Sequence, residues 1–336
     1  MPPPDLSIYF VGTPCGGRPN PLAVSAGLCA DGSAGPLDKR YEPFVGRPGY
    51  RVAASPAGAD LVSNASDFLD PGVADEARRA TAGSDRPAVF FDFSDDETPG
   101  PDVGGVLWRC SAVGSRLLPH ERVLPALCVD VEASGYRFEP LPHEARPRVA
   151  FCGMVAGRTR RLVLRHVRGL DPTPHLLRAR SLAALRASGA VETDFIVRPT
   201  FHGVQADGDR VSAARRAFVD NLAASPYALC VRGMGNYSLR FYEALGAGRV
   251  PVLIDTDCVL PFGDRIDWDR HIVRVGIDEL PRAGDAIAAF HARHTSESFA
   301  ALQRDNRALF AELLHPTRML DHACRQALAG GAAAGS

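Results

Sequence analysis

What this chain of 336 residues lacks narrows it first. Its eight cysteines, at 15, 29, 110, 128, 152, 230, 258 and 324, never occur as C-x-x-C. Its ten histidines form no H-x-x-x-H pair. Those spacings carry most structural zinc and dithiol redox sites, so no structural metal is expected. Most of the cysteines sit in apolar runs such as AFCG and ALCV, which reads as buried free thiols in a reducing compartment. The start, MPPPDLSIYF, has neither a basic n-region nor a long apolar core, and no apolar run approaches a membrane span. The sequence therefore predicts no signal peptide, no transmembrane segment and a cytoplasmic location. Charge of one sign is also missing. A net charge of -1 argues against a general nucleic-acid or membrane-surface binder, and positive charge that matters must be concentrated locally.

What is present is an ordinary globular composition, 46% hydrophobic and 23% charged, long enough for two domains. The most informative stretch is 227–268, YALCVRGMGNYSLRFYEALGAGRVPVLIDTDCVLPFGDRIDW. An apolar run, Tyr227 to Val231, has strand length, and a loop holding Arg232, Gly233, Gly235 and Asn236 follows. Ser238 stands as N-cap of a helix whose apolar residues Leu239, Tyr242 and Leu245 recur at helical spacing until Gly246 and Gly248. A second strand covers Val250 to Asp255. The unit is βαβ, and its helix start offers backbone N–H groups and a positive dipole end to an anion in the loop.

Arg232 in the loop and Arg240 in the first helical turn place two guanidiniums where they can bond a diphosphate bidentately. Glu243, three residues on, is a candidate acceptor for a ribose or sugar hydroxyl pair. The plain alternative is that Arg240 and Glu243 form a surface helix pair of small value.

The run from Leu229 to Trp268 resembles the signature block of the exostosin glycosyltransferases (glycosyltransferase family 47) in their bacterial form. The shared elements are the LC-R-G start, S-x-R-F-Y-E-A-L, the G-x-V-P-V-L-I strand, and L-P-F followed by I-D-W. A weaker likeness extends through 146–167, RPRVAFCGMVAGRTRRLVLRHV, and thins before Arg146. The resemblance implies an α/β fold of GT-B type, two Rossmann-like domains facing across a cleft. The domains expected are 1–145 on the acceptor side, 146–296 for the nucleotide sugar, and a C-terminal helix, 297–329, packing back across both. It also implies that Arg158 or Arg160, in the loop after the second domain's first strand, touches the donor diphosphate. Basic residues on an exposed helix face are the alternative there, since Arg165 and Arg168 continue the run.

The rest of the chain reads in the same terms. Leu6 to Val11 is a first strand, followed by the glycine-rich run 12–17. Short strands are expected near Tyr41 to Val45 and Arg51 to Ala53, a helix over Asp67 to Ala82, and a buried strand over Ala88 to Phe93. That strand runs into DFSDDE, where Asp92, Asp95 and Asp96 gather with Glu97. Crowded carboxylates raise one another's pKa, and sugar transfer with inversion needs a base for the acceptor hydroxyl, so these aspartates are candidate catalytic groups. A solvated acidic loop is the alternative. Glu121 is a further candidate, with His120 ranked below. EPLPHEARPR, 139–148, is the expected interdomain linker, and 330–336 is expected to be disordered.

The reading that follows is an inverting glycosyltransferase. It takes a nucleoside-diphosphate sugar, a UDP-sugar first, and transfers the sugar to a hydroxyl of a glycan or small-molecule acceptor. The donor site consists of Arg158, Arg160, Arg232, Gly233, Gly235, Asn236, Ser238, Arg240 and Glu243. No metal and no other cofactor is expected, because positioned cations and a helix dipole can stabilise the leaving diphosphate. Nucleic acid is not a partner in this reading. The competitors are a sugar-nucleotide epimerase or hydrolase of the same architecture, a dinucleotide oxidoreductase, and a catalytically silent binding module. The oxidoreductase fits poorly because Ser238 stands where a dinucleotide fingerprint has its third glycine.

Overall fold

The computed structural model describes residues 5–13, 19–28, 39–69, 71–83, 86–155, 174–199 and 209–334. The chain divides into two compact units, Met1–Leu127 with Cys258–Phe262 and Leu313–Ser336, and Cys128–Asp257 with Gly263–Glu312. The division thus falls ahead of the proline-rich segment 139–148, which lies within the second unit.

The first unit is built on six parallel strands. β1 (Leu6–Val11) lies between β2 (Tyr50–Val52) and β3 (Leu61–Asn64), and β5 (Val106–Arg109) lies between β4 (Val89–Asp92) and β6 (Glu121–Val123). The two three-stranded sheets meet at a parallel bridge between Val62 and Ala88. Beyond that bridge the ladder is completed by a side chain. The buried amide of Asn64 accepts from Phe91 N (2.9 Å) and donates to Phe91 O (2.7 Å), so it acts as one more peptide group between β3 and β4. Phe91 immediately precedes Asp92, and the stitch fixes where the acidic loop begins. α1 (Pro21–Ser25) and α2 (Pro71–Thr81) flank the sheet, with Val73, Ala74 and Ala77 of α2 in a cluster with Val11, Val62, Phe90 and Leu107.

One expectation fails here. The strand predicted at Tyr41–Val45 is a 3-10 helix, Lys39–Phe44. Pro43 has no amide to give a ladder, and its fixed φ suits a helical turn. Tyr41 and Phe44, three residues apart, both turn inward and are buried. β1, β2 and β4 fall within a residue of their expected places, while β3 and β6 were not expected from the sequence.

The second unit carries a five-stranded parallel sheet in the order β11-β10-β9-β7-β8. Its strands are β7 (Arg148–Met154), β8 (Glu192–Arg198), β9 (Tyr227–Cys230), β10 (Val250–Asp255) and β11 (Val273–Gly276). α3 (Pro174–Ala187) and α4 (Asp209–Ala224) precede β8 and β9, and α5 (Leu239–Gly246) links β9 to β10. α6 (Ala283–His291) and α7 (Ser296–Leu309) follow. β9, and β10 as far as Ile254, are apolar because parallel strands are covered on both faces. Val149, Phe151, Tyr227, Leu229, Val250, Val252 and Ile254 join Leu177, Leu185, Ile287 and Phe299 in one core. Full burial of each such aliphatic or aromatic side chain stabilises by about 1.5–3 kcal/mol, which makes the sheet a rigid base for its loops.

The turn between α5 and β10 is fixed by Gly248, at φ +67°, where a Cβ would meet the Phe138 ring at 2.2 Å. Arg249 beside it is 2% exposed. It donates to the carbonyls of Leu222, Ala223 and Glu139 and to Gln303 Oε1, each at 3.0–3.1 Å. After α7 a π turn, Phe310–Leu314, breaks the helix ahead of Pro316, and α8 (Pro316–Ala334) belongs to the first unit. α8 continues past Gly330 and Gly331, where the sequence predicts disorder. No helix among the described residues is long and apolar enough to cross a membrane.

Candidate active site

In the second unit, chain order and sheet order diverge between β7 and β9. The sheet runs outward from that pair in both directions, and ligands of open parallel sheets bind beyond the carboxyl ends of the strands at such a point. The two strands pair at only two positions, Val149 with Tyr227 and Ala150 with Ala228. Past Ala150 they separate, and two arginines occupy the gap.

Arg240, from the first turn of α5, donates through Nη2 to Cys152 O of β7 (2.6 Å) and through Nη1 to Leu229 O of β9 (3.5 Å). Its guanidinium lies 4.4 Å from the centroid of the Phe151 ring. Gly153 makes this possible, since a Cβ there would stand 2.7 Å from Arg240 Nη2. Arg178, from α3, repeats the arrangement one step further out. It donates to Met154 O at the end of β7 (3.2 Å) and to Arg232 O after β9 (3.1 Å). Neither guanidinium makes an ion pair among the described residues, and the Nε of each is buried without a hydrogen-bond partner there. Burial lowers both pKa values, that of Arg178 to about 10 with Arg240 adding repulsion, and both stay protonated at neutral pH.

The glycine loop between β9 and α5 is held from inside. Asn236 is 2% exposed. It donates to Thr256 O (3.1 Å) and Asp257 O (3.3 Å), and its Oδ1 accepts from the Thr256 hydroxyl (2.5 Å) and from Arg232 Nη1 (3.4 Å). Asp257 sits at φ +60°, a left-handed conformation that aspartate tolerates better than most residues. The amide of Gly233 closes the loop on Tyr237 O (2.9 Å). Ser238 is the N-cap of α5, yet its side chain makes no capping bond. The helix start is therefore not neutralised by its own cap.

Most sequence-predicted donor residues fall in this neighbourhood, with roles the sequence does not show. Gly233, Gly235, Asn236 and Ser238 form the loop and the helix start, and Arg232 crosses the loop to Met234 O (2.8 Å). Arg240 lies beneath the loop and braces the sheet. Glu243 is buried in an ion pair with Arg215, which is itself held by Ser134 Oγ and Val129 O (both 3.1 Å). Arg158 and Arg160 lie outside the described residues. Arg178 was missed because its partners are carbonyls remote in sequence, which no motif spacing reveals. The Cys230 thiol between these elements is fully buried and pushed up to about 12, which makes it inert.

In the first unit the acidic loop after β4 is organised by Arg109. This guanidinium donates to Thr98 O (2.6 Å), Asp96 O (2.8 Å) and Glu121 Oε1 (2.8 Å), and its Nε lies 3.5 Å from Asp92. Glu121 also accepts from Gly100 N (2.7 Å) and Leu118 N (2.8 Å), and its side chain is 1% exposed. Burial pushes its carboxyl up, but those amides and Arg109 outweigh it and hold it below the usual range. The sequence offers Glu121 as a base; the structure gives it the role of a loop anchor. Asp92 accepts from Ser94 N (3.0 Å), and the amide and hydroxyl of Thr98 hold Asp96 below its usual pKa. Asp95 and Asp96 are the exposed aspartates of the loop. Among the described residues no group of three or more His, Cys, Asp or Glu side chains could hold a metal ion.

Comparison with known proteins places these observations. The exostosin GT47 domain family matches residues 136–290. A probable glucuronosyltransferase of Oryza sativa subsp. japonica is 38% identical over 72 residues, which is 21% of this chain and 17% of that protein. A probable glycosyltransferase of Arabidopsis thaliana is 36% identical over 64 residues, 19% of this chain and 14% of that protein. The matched stretch thus spans less than a fifth of either relative. Among solved structures, a glycosyltransferase from Rickettsia africae ESF-5 aligns with TM-score 0.38 and 10% identity, covering 81% of this chain and 76% of that one. WaaG, a glycosyltransferase involved in lipopolysaccharide biosynthesis, aligns with TM-score 0.36 and 12% identity, covering 94% and 98%. The likeness to the exostosin GT47 domain is thus carried by residues 136–290, a little under half of the chain.

Proposed function

We propose that the chain is an inverting glycosyltransferase of GT-B type whose second unit binds a nucleoside-diphosphate sugar, with a UDP-sugar as the first candidate. The observation that carries this reading is the convergence on the β7/β9 divergence of two guanidiniums without ion-pair partners among the described residues, beside a helix start that lacks a side-chain cap. As the bond to the sugar breaks, negative charge develops on the leaving diphosphate. Fixed cations and helix N–H groups stabilise that charge without reorganising, which is how such sites accelerate transfer. Arg232 and the backbone of Gly233 to Ser238 are the groups that reach the phosphates, with Arg158 or Arg160 completing the contact. Arg240 holds the loop's footing. Glu243, fixed by Arg215, is the candidate partner for ribose or sugar hydroxyls.

Asp95 and Asp96 are the candidate bases for the acceptor hydroxyl, a glycan or small molecule. Glu121 is not among them, because its carboxylate is enclosed. The test is product analysis with labelled UDP-glucuronic acid, UDP-N-acetylglucosamine and UDP-galactose, with and without oligosaccharide acceptors. A glycoside of inverted anomeric configuration formed only with acceptor supports the reading. Free sugar or an epimerised nucleotide sugar, independent of acceptor, replaces it by a hydrolase or epimerase.

A further inference from the structure

Arg178 lies inside the family match but outside the signature run 229–268, and the proposed function assigns it no contact of its own. Its surroundings are unusual for a surface arginine. Two of its nitrogens hold the carbonyls of Met154 and Arg232, the residues at which the chain leaves β7 and β9. One level deeper Arg240 holds Cys152 and Leu229 in the same way. The ladder between β7 and β9 stops at Ala150 and Ala228, so from there outward the two arginines are the cross-strand rungs. A peptide ladder is neutral, whereas these rungs bring two positive charges close enough to repel each other. The carboxylate nearest to Arg240 along α5, Glu243, is engaged by Arg215. Two half-buried like charges with no ion pair of their own among the described residues favour a bound anion, and each guanidinium has donors beyond those in use.

We propose that Arg178 is a positioning residue of the donor site, tying together Met154 and Arg232, where the chain leaves β7 and β9, and that a bound diphosphate relieves its repulsion with Arg240. This rests on the reading of the second unit as the donor site. It assigns Arg178 a part in anion binding separate from its part in packing.

Calorimetric titration of the full chain with inorganic pyrophosphate tests it, on wild type, Arg178→Gln and Arg178→Lys, alongside thermal melts without ligand. Wild type is expected to bind. Arg178→Gln should bind about 10- to 100-fold more weakly, the range expected for loss of a charge-assisted hydrogen-bonding group. Arg178→Lys keeps the charge but lacks the planar fork that spans two carbonyls, and should bind about tenfold more weakly. Wild-type affinity in both variants, with only the melting temperature lowered, overturns the proposal and leaves the donor site standing. If Arg178→Gln does not fold, wild-type affinity in Arg178→Lys overturns it alone. A wild type that takes up no pyrophosphate overturns the proposal and the donor-site reading together.

Discussion

Arg240 Nη2 stands 2.6 Å from the carbonyl oxygen of Cys152, at the level where β7 and β9 have ceased to pair. A side chain from the helix after the glycine loop thus completes the sheet beneath that loop. Signature residue and scaffold are the same residue here, which makes the site sensitive to small changes in packing.

The first prediction follows from Gly153. A methyl group there meets Arg240 Nη2 at 2.7 Å and the Phe151 ring at 3.3 Å, and the Arg240 head is pinned against that ring. Gly153→Ala should therefore destabilise by about 1–3 kcal/mol, the usual range for overpacking. Urea denaturation of the two proteins measures it, and an unchanged midpoint contradicts the close packing described.

Arg109 and Glu121 should behave as one unit. Arg109→Met leaves a buried carboxylate without its cation and should cost about 3–5 kcal/mol. The folded Glu121 pKa lies below the unfolded one, so the stability it contributes is present above the unfolded value and is lost as pH falls through the folded one. The stability gap between wild type and Glu121→Gln should accordingly narrow on acidification below about pH 4. Denaturant titrations across pH 2.5–7 read it; a gap that widens in acid contradicts the assignment.

His291 sets a second pH dependence. Its Nε2 donates to Glu144 O (2.7 Å), its Nδ1 accepts from the Tyr227 hydroxyl (2.9 Å), and its ring stacks on His143 at 3.8 Å. Burial, with His143 adding repulsion, holds its pKa below the ordinary 6.5. The unfolded chain binds the proton more readily, so stability is full above pH 6.5 and declines below it, by at most about 1.4 kcal/mol per pH unit for this group. Melting temperature followed from pH 8 to pH 5 should fall less steeply in His291→Gln than in wild type. Parallel curves contradict a neutral His291.

Catalysis and structure should separate within the acidic loop. Asp95→Asn or Asp96→Asn should lower turnover at least about 100-fold with little change in stability, as loss of a general base does. Glu121→Gln should act mainly through stability. Steady-state kinetics beside thermal melts on all three variants decide it. If neither aspartate matters to kcat, the base lies elsewhere.

Strands were legible where burial on both faces leaves no choice of residue. β1 and β10 occupy Leu6–Val11 and Val250–Asp255 as the sequence predicts. Tyr41–Val45 misled because aromatic and branched residues around Pro43 mimic a strand, while the proline turns them into a 3-10 helix. Glycine, asparagine and arginine in 232–240 announced a loop between strand and helix, but not that Asn236 faces inward and Arg240 braces the sheet. Arg178 and Arg249 were invisible, because the backbone carbonyls they serve carry no sequence signal. Glu121 read as a catalytic candidate for the converse reason: a carboxylate looks the same in sequence whether it anchors a loop or abstracts a proton.

Ligand-induced stabilisation shows whether the second unit binds a nucleotide sugar. Melting temperatures of wild type and Arg232→Ala would be compared with UDP, GDP, ADP, CMP and their sugar conjugates, with NADH as control. A ligand at 100 times its Kd stabilises the native state by about 2.7 kcal/mol, several degrees for a protein of this size. A shift with one nucleoside diphosphate in wild type, lost in Arg232→Ala, is expected of a donor site. No shift with any nucleoside diphosphate, or a shift with NADH alone, would contradict it.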